Sequence, residues 1–400
     1  MLVREGYLER LRPLYDACDL VKVITGVRRG GKSVLLSQIR DDLLGRVPAD
    51  HVLMLNFELL PLQQISTAVA LDAYVREHMS DRSGPYYVFL DEVQEVDGFE
   101  KAVNSLRASG NISVFITGSN AHLLGGELAT YLSGRHIEQR VWPLSYAESL
   151  ALRGLGSSLQ LLSDYLRWGG MPFRFSLDET TQNLYLRDVF NSVVLRDVVA
   201  RTGLRDVVGL EAILDFVVEN MGRVMSPKSI VGYLTSVGKK VSLDAIYSHL
   251  RALESSMLVN KVRRYDLRGK QVMSTLDKYY ATDIGLVTAR RVGQGPGQGD
   301  RVENCVYTEL MRRGFEVYAG TMPGAEVDFV ATKNGMPRYI QSAYVVGDGD
   351  VAEREFGAFA GISDNYPKYV VSMDPMPMER NGIHHLGFEQ FLLDPPAELA

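Results

Sequence analysis

Along the first third of the chain, apolar residues come in short unbroken runs separated by stretches of helical period. Leu20–Thr25, His51–Phe57, Tyr86–Leu90 and Ser113–Thr117 are such runs. Runs this apolar suit strands buried on both faces, as in a parallel sheet between layers of helix. Between them, Ser33–Leu44 and Thr67–Met79 read as helices. The alternation predicts a doubly wound α/β sheet. Ile137–Val141, ahead of Trp142-Pro143, is a candidate fifth strand.

The pattern then changes. From Ala147 to about Asn220 apolar residues recur at three and four, as in Leu184, Leu186, Val189, Phe190, Val193 and Val194, which predicts helices. Trp168-Gly169-Gly170-Met171-Pro172 reads as a turn between two of them. Farther on, Ser226-Pro227-Lys228 is a helix start with proline at the first helical position, and Leu243–Ser255 is a second helix. Leu258–Tyr265 and Lys270–Tyr280 are candidate strands, and this order is that of a winged helix-turn-helix. Arg291–Asp300, rich in glycine, reads as a linker. Beyond it come a helix, Arg301–Arg313, and strands around Glu316–Tyr318, Glu326–Ala331 and Arg338–Val346. The expected division is a core over 1–146, a helical extension or lid over 147–204, a winged helix-turn-helix over 205–290 and a further α/β domain over 301–400.

Composition adds limits. The 400 residues are 46% hydrophobic and 23% charged, as in soluble globular proteins. No apolar stretch is long enough to span a bilayer, and the first residues lack a signal core. Cys18 and Cys305 stand alone, so a disulfide framework is excluded and a cytoplasmic location is expected. The net charge of −6 argues against a chain coated in nucleic acid. Between Arg196 and Arg291, however, basic residues outnumber acidic ones by about five or six, and DNA contact is expected there.

The sharpest chemical signal is Gly26-Val27-Arg28-Arg29-Gly30-Gly31-Lys32-Ser33, followed by Val34. It fits G-x-x-x-x-G-K-[ST] in full and lies between a predicted strand and a predicted helix. Its glycines let backbone amides wrap the phosphates of ATP, and the helix N-terminus adds its positive end. Lys32 is expected to reach the β- and γ-phosphates, and Ser33 to offer its hydroxyl to Mg²⁺.

About sixty residues on, the strand Tyr86–Leu90 ends in Asp91 and Glu92. Asp91 is the candidate Mg²⁺ holder and Glu92 the candidate general base. The next strand ends in Thr117-Gly118-Ser119-Asn120, where Ser119 or Asn120 can orient water or the γ-phosphate, or serve as a plain helix cap. Arg135 is a candidate arginine finger, given in cis or to a neighbouring subunit, with Arg140 the weaker candidate and a surface role the alternative.

With Leu90-Asp91-Glu92-Val93-Gln94, Ile116–Asn120 and Ser133-Gly134-Arg135, this core resembles bacterial and archaeal AAA-type P-loop ATPases that often end in the domain of unknown function 4143. Lys278–Leu286, Glu303-Asn304, Glu326–Val330 and Tyr339-Ile340-Gln341 carry the C-terminal part of the resemblance, which covers nearly the whole chain. It implies an AAA-type ATPase core, a winged helix-turn-helix and a restriction-endonuclease-like terminal domain.

A nuclease of that type needs an acid, a second acid or glutamine, and a lysine two residues on. The candidate acids are Asp328, Glu303 and Glu309; Gln341 takes the second position, and Ala343 stands where the lysine belongs. Lys333 lies on the wrong side of a turn to replace it. The site is therefore expected to be degenerate and the nuclease inactive. In the winged helix, Ser242–Leu253 is the expected recognition helix, and Arg251, Arg263, Arg264, Arg268 and Lys270 are the candidate DNA contacts. Domain packing is the alternative use of such a fold. His249, Tyr279 and Tyr280 read as packing residues.

The leading expectation is an ATP-hydrolysing, Mg²⁺-dependent motor or remodeller acting on duplex or branched DNA, assembled as a homo-oligomer with a hexameric ring as one form. The alternatives are an ATP-dependent signalling switch that binds protein partners and an ATPase-regulated nuclease.

Overall fold

The computed structural model describes residues 2–79, 84–118, 131–132, 134–200, 207–290 and 296–400, and only the backbone of 195–197, 200 and 207. The chain divides into two compact units, 1–142 and 143–400.

In the first unit, helix α1 (Glu5–Leu11) precedes strand β1 (Val21–Thr25) and helix α2 (Lys32–Leu44). Strand β2 (Val52–Asn56), helix α3 (Ala68–Glu77), strand β3 (Tyr86–Asp91), helix α4 (Phe99–Ala108), strand β4 (Ile112–Thr117) and strand β5 (His136–Arg140) follow. The strands form one parallel sheet in the order β2-β3-β4-β1-β5. Alternate side chains face opposite layers, as the pleat requires. Val21, Val23, Val88, Leu90, Val114 and Ile116 pack with Leu71, Val75, Val103 and Leu106 of α3 and α4. Ile24, Tyr87, Phe89 and Phe115 pack with Leu8, Leu11, Leu35, Leu36 and Ile39 of α1 and α2. Each such burial stabilises the fold by about 1.5–3 kcal/mol. Lys22 breaks the apolar run of β1, yet it is fully buried. Its ammonium donates to the carbonyls of Ala17 and Leu20 and to Ser113 Oγ at 3.1, 2.9 and 2.6 Å.

The second unit opens with helices α5 (Tyr146–Arg153), α6 (Leu159–Trp168) and α7 (Glu179–Ser192), the last running into a π-helical turn, Val193–Ala200. The Trp168–Pro172 turn is built around a buried carboxylate. Asp283 accepts from the Gly170 amide at 2.7 Å and the Gly285 amide at 2.9 Å. A Cβ on Gly170 would lie 1.9 Å from Leu144 O, and one on Gly285 1.9 Å from Trp168 O, so both positions exclude any side chain.

Helices α8 (Val207–Glu219), α9 (Pro227–Ser236) and α10 (Leu243–Ser255) come next. Ser226 caps α9 with Pro227 at its first position, and Ser242 caps α10. Four strands follow: β6 (Val259–Val262), β7 (Arg264–Asp266), β8 (Gln271–Val272) and β9 (Lys278–Ala281). Strands β6 and β9 pair antiparallel with each other. The two predicted strands of the wing are each split, however. Strands β7 and β8 leave the pair and join the sheet of the terminal segment, where β7 lies parallel to β10 (Glu316–Met322). The reason is burial: Tyr265 and Leu267 pack on the apolar cluster around Met322, Val327 and Val330. The segment from 301 therefore shares a sheet with residues of the hairpin.

Helix α11 (Ile284–Arg290) leads to the predicted linker, of which 291–295 lie outside the described residues. Helix α12 (Gln298–Arg312) starts earlier than expected, because Asp300 accepts from the Gly297 amide and caps it. Strands β11 (Ala325–Lys333) and β12 (Met336–Ser342), helix α13 (Asp350–Gly357), and strands β13 (Lys368–Ser372), β14 (Glu379–Arg380) and β15 (Ile383–Gly387) follow. The sheet has eight strands in the order β14-β15-β13-β12-β11-β10-β7-β8. No helix among the described residues is long and apolar enough to cross a membrane, and both cysteines are free.

Candidate functional site: a phosphate loop beside two carboxylates

The loop between β1 and α2 takes its shape from backbone conformations that side chains disfavour. Gly26, Arg29 and Gly31 have φ of 148°, 60° and 105°. A Cβ on Gly26 would meet Val141 O at 2.4 Å, so that glycine is required by close approach as well. Gly31 is the N-cap of α2 and supplies no side-chain cap, which leaves the first amides of the helix to an anion. Lys32 is buried, and its ammonium donates to the carbonyls of Gly26 and Val27 at 3.1 and 3.3 Å. Val27 and Gly30 are buried, Arg29 and Val34 exposed, and Arg28 lies 3.6 Å from Glu58.

Opposite the loop, the ends of β3 and β4 place their polar residues together. Ser33 Oγ donates to Asp91 Oδ1 at 3.1 Å, and Thr117 Oγ1 donates to the same oxygen at 2.5 Å. The Glu92 amide in turn donates to Thr117 Oγ1 at 3.0 Å. Glu92 holds a left-handed φ of 53°, a strained conformation for a residue with a side chain. Gln94 Nε2 donates to Glu92 Oε2 at 2.5 Å. Burial raises the pKa of Asp91, and the bonds from Thr117 and Ser33 oppose that rise. A buried carboxylate beside a hydroxyl and a lysine, facing a helix start that has no side-chain cap, fits MgATP: Ser33 and Asp91 would hold the metal, and Gly26–Val34 the phosphates. The cation would supply charge neutralisation of the transferring phosphoryl group.

Not all predicted site residues converge here. Asn120 and Ser119 lie outside the described residues. Arg135 is exposed at the start of β5, where its carbonyl accepts from Val21 at 2.9 Å. The register Val21↔His136 to Thr25↔Arg140 puts Arg135 at the opposite end of the sheet from the loop, about 16 Å of strand away. A role for Arg135 in cis is thereby corrected. Arg140 is the one at the loop's end, with its guanidinium 4.1 Å over the Trp142 ring.

In the second unit, Arg251 is exposed on α10, and Arg263, Arg268 and Lys270 are exposed along the hairpin. Arg264 donates to Thr321 Oγ1 at 3.0 Å. His249, Tyr279 and Tyr280 are buried.

The candidate nuclease residues do meet. Glu303 on α12, Asp328 on β11 and Gln341 on β12 lie in one cluster, Asp328 buried and the other two partly buried, where the Asp328 amide donates to Gln341 Oε1 at 3.0 Å. Lys278, from β9, enters it: its ammonium lies 3.6 Å from Glu303 Oε1 and pairs with Glu326. Burial raises the pKa of Glu303 and of Asp328. Burial alone would lower that of Lys278, but Glu303, Asp328 and Glu326 outweigh it and raise it. Glu309 is elsewhere, paired with Arg312 at 2.9 Å and Arg313 at 3.1 Å, and Lys333 donates to the Ala400 carbonyl.

Thr117, Gln94 and Lys278 take part in these sites without being expected there. Signals for the first and last existed: a hydroxyl residue closing an apolar strand, and a charge heading the apolar run Tyr279–Ala281.

Residues 19–150 match the family model of an AAA domain, and residues 159–294 match a domain of unknown function, DUF8612. With the parallel sheet and its phosphate loop, the first unit is an AAA-type P-loop domain. An uncharacterized protein of Haemophilus influenzae is 37% identical over 377 residues, covering 93% of each chain, and this chain belongs to the same family. An uncharacterized protein of Methanocaldococcus jannaschii is 27% identical over 391 residues, covering 94% of this chain and 84% of that one. Among solved structures, the Orc1 protein of Aeropyrum pernix in complex with DNA is 14% identical, with a TM-score of 0.31 over 72% of this chain and 92% of that chain. AMPPCP-bound DnaA from Aquifex aeolicus is 12% identical, with a TM-score of 0.31 over 64% and 89%.

Proposed function

We propose that the protein is a Mg²⁺-dependent ATPase, in which Gly26–Val34 hold the phosphates, Lys32 neutralises the β- and γ-phosphates, and Glu92 takes the proton of the attacking water. The observation that carries this reading is the convergence of Ser33, Thr117 and the Glu92 amide around Asp91. That arrangement holds Asp91 still and sets the backbone from which Glu92 projects. In this reading Gln94, which donates to Glu92 Oε2, positions the base.

The finer reading is an oligomeric, cytoplasmic, DNA-associated motor or remodeller. The order α8, α9, α10 and the antiparallel pair β6·β9 supports a winged helix-turn-helix, and exposed Arg251, Arg263, Arg268 and Lys270 suit phosphate contacts. The cluster of Glu303, Asp328 and Gln341 supports a restriction-endonuclease-like origin for the terminal sheet. Arg135, far from its own loop, is free to serve a neighbouring subunit.

A second reading, an ATP-dependent switch that binds protein, draws on the placement of β7 and β8. A hairpin spent on the terminal sheet is one used for packing.

Steady-state ATP turnover with and without single-stranded, duplex and four-way-junction DNA, at two salt concentrations, separates the two. Stimulation by one DNA that vanishes at high salt supports the DNA-coupled reading. Turnover indifferent to every DNA favours the switch.

A further inference from the structure

We infer that the Lys278 ammonium is the built-in counter-cation of the buried carboxylate cluster in the terminal sheet, seated where a metal-dependent nuclease would hold its divalent cation. The inference is independent of the nucleotide site.

The cluster has few free valences. Glu303 Oε1 accepts from the Tyr280 hydroxyl at 2.6 Å and lies 3.6 Å from the Lys278 ammonium. Asp328 Oδ2 accepts from both the amide and the hydroxyl of Ser342 at 2.8 Å. Gln341 spends its carbonyl on the Asp328 amide and its amino group on Glu355 Oε2, the latter at 2.8 Å. Glu355 also accepts from Arg354. On the remaining side the Gly222 backbone closes in: a Cβ there would lie 2.9 Å from both Glu303 oxygens.

When ionised, carboxylates so enclosed need a cation, because an uncompensated buried charge is far costlier than a paired one. Lys278, 3% exposed, meets that need from within the chain. A divalent ion would have to displace a tethered ammonium or bear its repulsion at close range.

Ala343 occupies the position of the missing amine. In the metal-dependent arrangement the amine belongs two residues after Gln341, where it steadies water; here that position is buried among Val346, Phe356 and Val370. The amine comes from β9 instead and is consumed by the carboxylates. The cluster thus works as an ionic lock joining β9 to α12 and β11, and the terminal sheet holds without cutting.

Mn²⁺ titration of the full-length, nucleotide-free protein, followed by electron paramagnetic resonance, tests this. Wild type, Asp328→Asn and Glu303→Gln are expected to bind Mn²⁺ identically. Lys278→Gln is expected to gain one Mn²⁺ per chain, lost again in Lys278→Gln/Asp328→Asn. A wild-type Mn²⁺ site that disappears in Asp328→Asn or Glu303→Gln overturns the inference, even if Lys278→Gln does not fold. So does a Lys278→Gln protein with wild-type circular dichroism and no added site.

Discussion

Thr117 Oγ1 donates to Asp91 Oδ1 at 2.5 Å while accepting the amide of Glu92 at 3.0 Å. One fully buried hydroxyl therefore fixes the Asp91 carboxylate and the backbone of Glu92 in the proposed hydrolytic site. Thr117→Val keeps the shape and removes both bonds, leaving a buried amide without a partner, a loss of about 1–3 kcal/mol. Turnover is expected to fall about tenfold or more, with ATP affinity changed much less, and Thr117→Ser is expected to restore most of the rate. Paired kcat and KM values for the two variants decide it. Equal loss in both variants would make Thr117 a packing residue only.

Arg135 lies across the sheet from its own phosphate loop, so the proposed arginine finger would act on a neighbouring subunit's site. Arg135→Ala and Glu92→Gln are each expected to be nearly inactive alone. Mixed, they are expected to regain part of the wild-type rate, because a Glu92→Gln subunit can lend its arginine to an intact site. A mixture no faster than its components removes Arg135 from the mechanism.

Lys22 gives a pH signature. Burial pushes its ammonium down to about 8 from the ordinary 10.5. Between those values the unfolded chain carries a proton that the folded chain has shed, so stability rises with pH across that window. Below about 8 both states are protonated, and the full cost of the buried charge remains. Urea unfolding from pH 7 to 10.5 is expected to show wild type gaining about 3 kcal/mol relative to Lys22→Met as pH rises. A difference constant with pH would contradict the assignment.

Gly170 permits no side chain, since its Cβ would sit 1.9 Å from Leu144 O. Gly170→Ala must therefore move the turn off Asp283, and a loss of about 3 kcal/mol is expected. The midpoint of urea unfolding reports it. An unchanged midpoint would mean the turn can shift at no cost.

The sequence made some of this legible and not the rest, for physical reasons. Strands such as Tyr86–Leu90 and Ser113–Thr117 are buried on both faces, so their apolar runs announce them. The phosphate loop is legible because its backbone conformations demand glycine at fixed spacing. The place of Arg135 is not, because it depends on the parallel register of β5 against β1, which no local pattern encodes. Strands β7 and β8 are short and half polar, and Tyr265 and Leu267 choose their sheet through distant partners. Lys278 lies inside the predicted strand Lys270–Tyr280, and only the fold brings it to Glu303 and Glu326.

The claim at the centre is that Glu92 is the base of a Mg²⁺-dependent ATP hydrolysis built on Lys32 and Asp91. Its most direct test is phosphate release from MgATP by wild type and Glu92→Gln, measured beside ATP affinity. The expected result is wild-type turnover that requires Mg²⁺, and a variant that binds ATP as tightly but turns over about 100-fold more slowly or less. A Glu92→Gln variant as fast as wild type, or a wild-type protein that binds MgATP and does not hydrolyse it, would contradict the claim.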